Sequence, residues 1–103
     1  MSRTMGSNAS QYFNNNQELR DKKNKFVGWY RYVDAGNIRF LPAPGLSIHN
    51  AVSESLNLAH DTGYDVFLVF NGITINVPCA SGDNRDKVIQ NIIAFYLQNF
   101  NKR

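Results

Sequence analysis

The segment at residues 65–77 constrains the fold of this 103-residue chain more than any other. It consists of two runs of β-branched and aromatic residues joined by Asn71-Gly72. Asn-Gly is the strongest short hairpin signal, because both central residues of a type I′ turn need positive φ. Asn tolerates that conformation, and Gly adopts it without steric cost. The segment therefore predicts a two-residue β-hairpin.

The turn also determines which side chains of this hairpin lie opposite each other. Phe70 pairs with Ile73, and the pairing continues to Val66 opposite Val77, with alternate residues on opposite faces. One face is wholly apolar and consists of Val66, Leu68, Phe70, Ile73, Ile75 and Val77. The other face consists of Phe67, Val69, Thr74 and Asn76. The two large apolar side chains on that second face require cover.

Two predicted hairpins are each followed by an amphipathic helix. Residues 26–42 form the first hairpin, which has turn-forming residues at its centre. Ser47 is a suitable N-cap for a helix that ends near residue 60, and Asp83 or Asn84 caps a second helix to about residue 99. The order β-β-α-β-β-α predicts an α+β fold. We expect a four-stranded, mainly antiparallel sheet with both helices packed on one face.

Two registers fit the first hairpin. A four-residue loop pairs Tyr32 with Arg39, whereas a three-residue loop pairs Tyr32 with Ile38 and places Arg31 opposite Arg39. One residue of slip exchanges the two faces of a strand completely. We favour the four-residue loop because like charges directly opposite each other destabilise a sheet.

Residues 1–24 are rich in Ser, Asn and Gln and are predicted to form a flexible, polar and basic extension. Charge pairs at i,i+4 within residues 16–24 favour a short helix there. Residues 25–103 then form a single small domain. Residues 1–25 hold five basic and two acidic side chains, whereas residues 26–103 hold six of each. The net charge of +3 therefore belongs to the extension.

The sequence points to an intracellular, cytoplasmic protein. The longest apolar runs are far shorter than the roughly 18 residues that span a bilayer, so we expect no transmembrane segment. The first residues lack the apolar stretch of a secretory signal. The single cysteine, Cys79, excludes an internal disulfide framework.

Residues that could carry catalysis are few. His49 and His60 are eleven residues apart, which is about 16 Å along a helix, so they cannot bind one metal ion together. Cys79 lies shortly before a predicted helix, where a thiolate can be stabilised, but the sequence places no base beside it. We predict no catalytic residues, no metal site and no cofactor. A small enzyme that uses Cys79 or a histidine is the third-ranked hypothesis.

The first-ranked hypothesis is a small accessory or regulatory protein, such as an inhibitor, that acts by binding. The partner is another protein or a second copy of this chain, because exposed apolar patches mark interfaces. The predicted interface combines the second hairpin with the broad apolar arc of the last helix: Phe67, Val69, Thr74, Asn76, Tyr96 and Phe100. The alternative is that the first hairpin, or Tyr12 and Phe13 of the extension, covers this surface within the monomer.

The second-ranked hypothesis is a nucleic-acid-binding module. Aromatic side chains on a sheet can stack on unpaired bases while flanking cations hold phosphates. The candidate contacts come from the extension and the first hairpin: Lys22, Lys23, Lys25, Trp29, Tyr30, Arg31, Tyr32 and Arg39. The neutral charge of residues 26–103 counts against this hypothesis, because phosphate contacts depend on a local excess of cations.

Overall fold

The computed structural model describes residues 16–34, 36–79 and 84–101. Its elements in chain order are β1 (Gln17–Arg20), β2 (Phe26–Asp34), β3 (Asn37–Pro42), α1 (Ile48–Thr62), β4 (Asp65–Phe70), β5 (Ile73–Val77) and α2 (Arg85–Asn101). The protein is α+β, as predicted. Residues 1–15 of the predicted flexible extension, which spans residues 1–24, and the candidate cap Asp83 lie outside the described residues.

The sheet has five strands in the order β1-β2-β3-β4-β5 and is mixed, so the predicted four-stranded, mainly antiparallel sheet is confirmed only in part: the prediction lacks strand β1 and the one parallel pair. Strands β3 and β4 are parallel, and the other neighbouring pairs are antiparallel. A parallel pair needs a crossover, and α1 supplies it. The two hairpins thus lie side by side in one sheet, joined at its centre.

The second hairpin forms as predicted. Phe70 pairs with Ile73, and the register continues to Val66 opposite Val77. The turn residues Asn71 and Gly72 have φ of 51° and 78°, as a type I′ turn requires. The register follows from local turn chemistry, and tertiary contacts leave it unchanged.

Strand β1 lies within residues 16–24, where the sequence indicated a flexible extension with at most a short, weakly held helix; the structure has a strand there instead. Leu19 of this strand packs against the core. After the strand, the Asp21 carboxylate accepts hydrogen bonds from the backbone N–H groups of Lys23 and Lys25, both at 2.9 Å. The charge pairs that favour a helix contribute only about 0.2–0.5 kcal/mol each. Pairing with β2 satisfies the backbone of the segment and also buries part of Leu19.

The register of the first hairpin is the three-residue alternative, so our preference for the four-residue loop is wrong. Tyr30 lies opposite Phe40, and Arg31 lies opposite Arg39. The four-residue register would place Arg31 beside Phe40, which is fully buried under the helices. Burying an unpaired charge costs several kcal/mol, whereas like charges opposite each other on a surface cost about 0.2–1 kcal/mol. The observed register, with Arg31 opposite Arg39, therefore carries the smaller of the two free-energy costs.

Strand β2 contains a β-bulge that places an extra residue in the core. Leu19 pairs with Gly28, but Arg20 pairs with Phe26, so Val27 is an extra residue in the strand. Val27 turns inward and is 3% exposed. Gly28 has φ of +148° and lies against the backbone of β3. The bulge therefore adds the Val27 side chain to the core. The next residue, Gly28, lies so close to β3 that only glycine fits there.

Both helices begin at side-chain caps that the sequence predicts. The Ser47 hydroxyl accepts a hydrogen bond from the Asn50 N–H at 3.1 Å, and α1 ends at Gly63 in the left-handed conformation. The Asn84 side chain accepts from the N–H of Asp86 at 2.9 Å at the start of α2. No helix among the described residues is long and apolar enough to cross a membrane.

The core lies between the helices and one face of the sheet. The strands contribute Ile38, Phe40, Val66, Leu68, Ile75 and Val77, which all point to that face. The helices contribute Ala51, Val52, Leu56, Leu58, Ala59, Ile89, Ile92 and Tyr96. Because residues of both helices share one cluster with this face alone, both helices pack on the same side of the sheet.

Candidate binding surface

The face of the sheet away from the helices is the candidate functional surface. We call it the outer face and define it by Trp29, Arg31, Arg39, Leu41, Phe67 and Val69. Strand register places these side chains together, since directly opposite residues of neighbouring strands point to the same side. Within residues 16–34, 36–79 and 84–101, no helix covers this face, because both pack on the other side.

The parallel pairing of β3 with β4 brings together residues that were predicted from the sequence to belong to two separate sites, one for protein and one for nucleic acid. Arg39 pairs with Phe67 across this junction, and Arg31 lies opposite Arg39 on the next strand. The predicted protein-interface residues Phe67 and Val69 therefore adjoin three predicted nucleic-acid contacts, the two arginines and Trp29. Sequence reasoning missed this juxtaposition because it did not establish which strands of the two hairpins are neighbours.

The structure places Tyr30 and Tyr32, both predicted nucleic-acid contacts, on the helix side of the sheet. The two rings meet edge to face at 6.1 Å between centroids, and Tyr32 meets Tyr64 in the same way at 5.2 Å. Both pack against the core cluster. The register that puts Arg31 outside puts these two tyrosines inside, so they are separate from the outer face.

Tyr96 and Phe100 also lie on the helix side, so the six predicted interface residues do not form one surface. Tyr96 is buried, and its hydroxyl accepts a hydrogen bond from the Asn71 side-chain N–H at 2.8 Å. Its ring stacks with that of Phe100 at 5.7 Å and meets Phe70 edge to face at 5.3 Å. Tyr96 thus fastens the β4–β5 turn to α2.

The three lysines predicted to contact nucleic acid lie in the β1–β2 turn. Lys22 and Lys23 line a cleft of about 570 Å³ that is bordered by residues of α1 and by Arg85 at the start of α2. Arg85 is held there by hydrogen bonds to the Ser53 carbonyl at 3.0 Å and to the Asn57 side chain at 2.9 Å. Lys22 and Lys23 therefore face the helix layer and do not add to the charge of the outer face.

The two arginines of the outer face lack a carboxylate partner in the described part of the chain. The ion pair found there is Arg20 with Glu18 at 2.8 Å, and the nearest His–carboxylate contact is His60 Nδ1 with Asp61 at 3.6 Å. The Nε of Arg31 is buried and has no acceptor among the described residues. An unsatisfied buried donor costs about 1–3 kcal/mol. The outer face therefore combines apolar surface with two positive charges that nothing described neutralises.

Cys79 is placed unfavourably for nucleophilic chemistry. Its backbone N–H donates to the Asp65 carboxylate at 3.1 Å. Partial burial, and then the neighbouring Asp65 carboxylate, raise the pKa of the Cys79 thiol. A raised pKa reduces the thiolate fraction at neutral pH, and the thiolate is the reactive form. This local environment does not favour the hypothesis of a cysteine nucleophile.

His49 and His60 both lie exposed on α1. His60 Nδ1 lies 3.6 Å from the carboxylate of Asp61, its neighbour in sequence, and the side chain that acts on the Cys79 thiol is Asp65, not a histidine. Across the described residues, no group of three His, Cys, Asp or Glu side chains is close enough to hold a metal ion.

Comparisons with known proteins give no information on function, so a function can be inferred only from the geometry of the surface. No protein-family model matches this chain, and neither a curated protein nor a solved structure matches it. What the fold and surface define is a small α+β protein with a one-sided helix layer and an apolar, arginine-bearing sheet face.

Proposed function

We propose that this protein is a small non-enzymatic accessory protein that binds another protein through the outer face, with carboxylates of the partner on Arg31 and Arg39. The observation that supports the proposal most directly is the pairing of these two arginines across β2 and β3 within an apolar surface. Arginine and aromatic side chains are enriched at the centres of protein interfaces.

The apolar part of the surface supplies the anchoring contacts. Trp29 is 38% exposed, and Leu41, Phe67 and Val69 are partly buried. An anchor of this kind gains about 25 cal/mol per Å² of apolar area removed from water. Phe67 lies beside Arg39, so one partner segment can fill the apolar surface and reach a guanidinium group at the same time.

Charge favours a different protein over a second copy on this face. If two outer faces packed together about a two-fold axis, the Arg31 and Arg39 side chains of both copies would be brought into one desolvated interface. Juxtaposed like charges at an interface cost several kcal/mol. An acidic and apolar partner surface instead provides carboxylates, which arginine binds in a bidentate manner.

A nucleic-acid ligand is the second candidate, because Trp29 stands beside Arg31 and Arg39 on an accessible sheet face. An exposed tryptophan can stack on an unpaired base. Two guanidinium groups nevertheless neutralise few phosphates, and Lys22 and Lys23 face the helix layer. The protein partner is therefore the better supported of the two.

Selection from a random peptide display library tests the proposal. We expect the wild-type protein to enrich peptides that combine an aromatic or aliphatic anchor with Asp or Glu. Phe67→Asp should abolish binding of the enriched peptides, whereas Phe95→Asp, which changes an exposed phenylalanine of α2, should preserve it. Thermal melting of both variants confirms that they are folded.

A second pair of variants tests the charge contribution. Arg31→Gln/Arg39→Gln should weaken binding of the enriched peptides at least tenfold, since each lost charged hydrogen bond is worth about 1.5–3 kcal/mol. Lys22→Gln/Lys23→Gln removes the same charge from the helix side and should change little. Peptides without acidic residues, or equal binding by all variants, would overturn the proposal.

Titration with a fluorescently labelled oligouridylate at two salt concentrations addresses the second candidate. Salt-dependent binding that disappears in Arg31→Gln/Arg39→Gln, together with no enrichment of acidic peptides, would replace the protein partner by single-stranded nucleic acid.

A further inference from the structure

Strand β5 ends the sheet, and its outer edge has no partner strand in the part of the chain that the structure describes. In a two-residue hairpin the closing pair, Phe70 with Ile73, exchanges hydrogen bonds, and hydrogen-bonded and non-bonded pairs then alternate. Ile73, Ile75 and Val77 therefore direct their backbone groups to β4. The N–H and C=O groups of Thr74 and Asn76 point away from the sheet.

We infer that a second copy of this chain pairs with this edge, antiparallel, so that two five-stranded sheets become one continuous sheet about a two-fold axis. The surface is different from the outer face, and the inference does not depend on the proposed partner. Three observations support it: the absence of charge on β5, the match of the edge to itself, and an exposed phenylalanine beside it.

The two edges of the sheet differ in how they resist pairing. Charged side chains and proline are the usual means by which proteins protect an exposed edge strand. The edge strand β1 carries Glu18 and Arg20 within four residues. Strand β5, with the sequence ITINV, carries neither a charge nor a proline. A second β5 strand that pairs with this edge therefore faces no side chain of like charge and no proline that lacks a backbone N–H.

The edge of β5 is complementary to itself in one register. When Ile75 lies opposite Ile75 of the second copy, each Thr74 lies opposite an Asn76. All four outward N–H and C=O groups of each strand's Thr74 and Asn76 then form hydrogen bonds, four bonds in total. On the opposite side of the sheet from the helices, each Thr74 hydroxyl comes beside an Asn76 amide. The same residues serve both copies, as a two-fold interface requires.

Phe95 of α2 flanks this edge and would be covered by the pairing. It is 47% exposed and lines a groove of about 240 Å³ with Ile75, Asn76, Asn91 and Ile92. A two-fold axis perpendicular to the sheet keeps both helix layers on one side, so the α2 helices of the two copies become neighbours. Each Phe95 then lies at the groove of the other copy.

The size of the contact sets the expected strength. One short strand pair and one phenylalanine on each side give an interface near the lower end of the usual range, about 1,200 Å² in total. We therefore expect a reversible dimer whose fraction rises with concentration. Sedimentation equilibrium from about 1 to 200 µM, which brackets micromolar affinities, should give a mass that increases from one chain towards two.

Charge reversal identifies the interface. In the proposed register, Thr74→Lys/Asn76→Lys puts like charges directly opposite each other twice, as does Thr74→Glu/Asn76→Glu. Each variant alone should remain monomeric at all concentrations, whereas an equimolar mixture should form the mixed dimer. His49→Lys/Asn50→Lys adds two lysines at exposed positions of α1 and should leave the wild-type mass curve unchanged.

Phe95→Ser should shift the dimerisation midpoint to at least tenfold higher concentration. Phe67→Asp, on the outer face, should not shift it, which separates failure of this inference from failure of the proposed function. A wild-type protein that is monomeric throughout, a dimer that persists in the lysine variant, or a mixture that stays monomeric would each overturn the inference.

Discussion

Replacing Gly28 with alanine tests how closely strands β2 and β3 must approach. Gly28 has φ of +148°, a conformation that L-residues rarely adopt. A Cβ atom at this position would overlap the carbonyl oxygen of Leu41 and lie 2.8 Å from Cε1 of Phe40 and 2.9 Å from Cα of Pro42. Two of these neighbours are backbone atoms and the third belongs to a fully buried ring, so none can move aside freely.

The expected cost is the sum of two effects. Holding a residue with a side chain in a sparsely populated backbone region costs about 1–3 kcal/mol, and forcing extra volume into a packed site costs about another 1–3 kcal/mol. We therefore expect Gly28→Ala to lower the free energy of unfolding by about 2–6 kcal/mol. Small domains have about 5–15 kcal/mol in total, so the variant stays folded only if the wild type lies well inside that range.

Equilibrium unfolding in urea, followed by circular dichroism, measures the effect. With a denaturant slope of about 1.5 kcal/mol per M, a loss of 3 kcal/mol lowers the midpoint by about 2 M. Gly45→Ala is the matched control, because Gly45 has φ of +90° but nothing within 4 Å of a built Cβ. It should show the backbone effect alone. If Gly28→Ala lowers the midpoint no more than Gly45→Ala, the close approach of the strands does not constrain this position.

Three further predictions concern contacts elsewhere in the fold. Ser47→Ala should lower the unfolding free energy by about 1 kcal/mol in urea, since it removes the N-cap of α1, and an unchanged midpoint would contradict that role. Tyr96→Phe should cost about 0.5–1.5 kcal/mol in the same assay because it removes the hydroxyl that accepts a hydrogen bond from the Asn71 side chain, and an unchanged midpoint would contradict that contact. The rate of Cys79 alkylation by iodoacetamide should titrate above the range of an ordinary thiol, and Asp65→Asn should move the midpoint to lower pH because it removes a negative charge that disfavours the thiolate; an unmoved midpoint would contradict the raised pKa of Cys79.

The features that the sequence predicted correctly are those that nearby residues determine. Asn71-Gly72 fixes a turn that two residues can specify, and the register of β4 and β5 follows from it. The helix caps Ser47 and Asn84 are likewise local, because each side chain bonds to a backbone N–H two or three residues ahead. Sequence reasoning is dependable where cause and effect lie within one turn of the chain.

The features that it missed depend on contacts distant in sequence. Strand β1 is polar, and only its pairing with β2 makes it a strand. The register of the first hairpin depends on what covers Phe40, and that cover comes from helices later in the chain. The outer face depends on Arg39 lying beside Phe67, 28 residues further on. No local pattern contains this information, so the sequence named five of the six outer-face residues as candidates without predicting their arrangement.

The parallel junction at the centre of the sheet also governs how the chain reaches this structure. Each hairpin can form in microseconds because its contacts are near in sequence. Ile38 can pair with Val66 only when the crossover that contains α1 brings β3 and β4 together. Neither hairpin has a closed core of its own, since both bury their apolar faces under the same two helices. The rate-limiting event in folding should therefore be the docking of β3 on β4 with α1 in place, and φ-values should be highest at Ile38, Val66 and Val52. One slow step, the pairing of β3 with β4, therefore controls the formation of the whole five-stranded sheet.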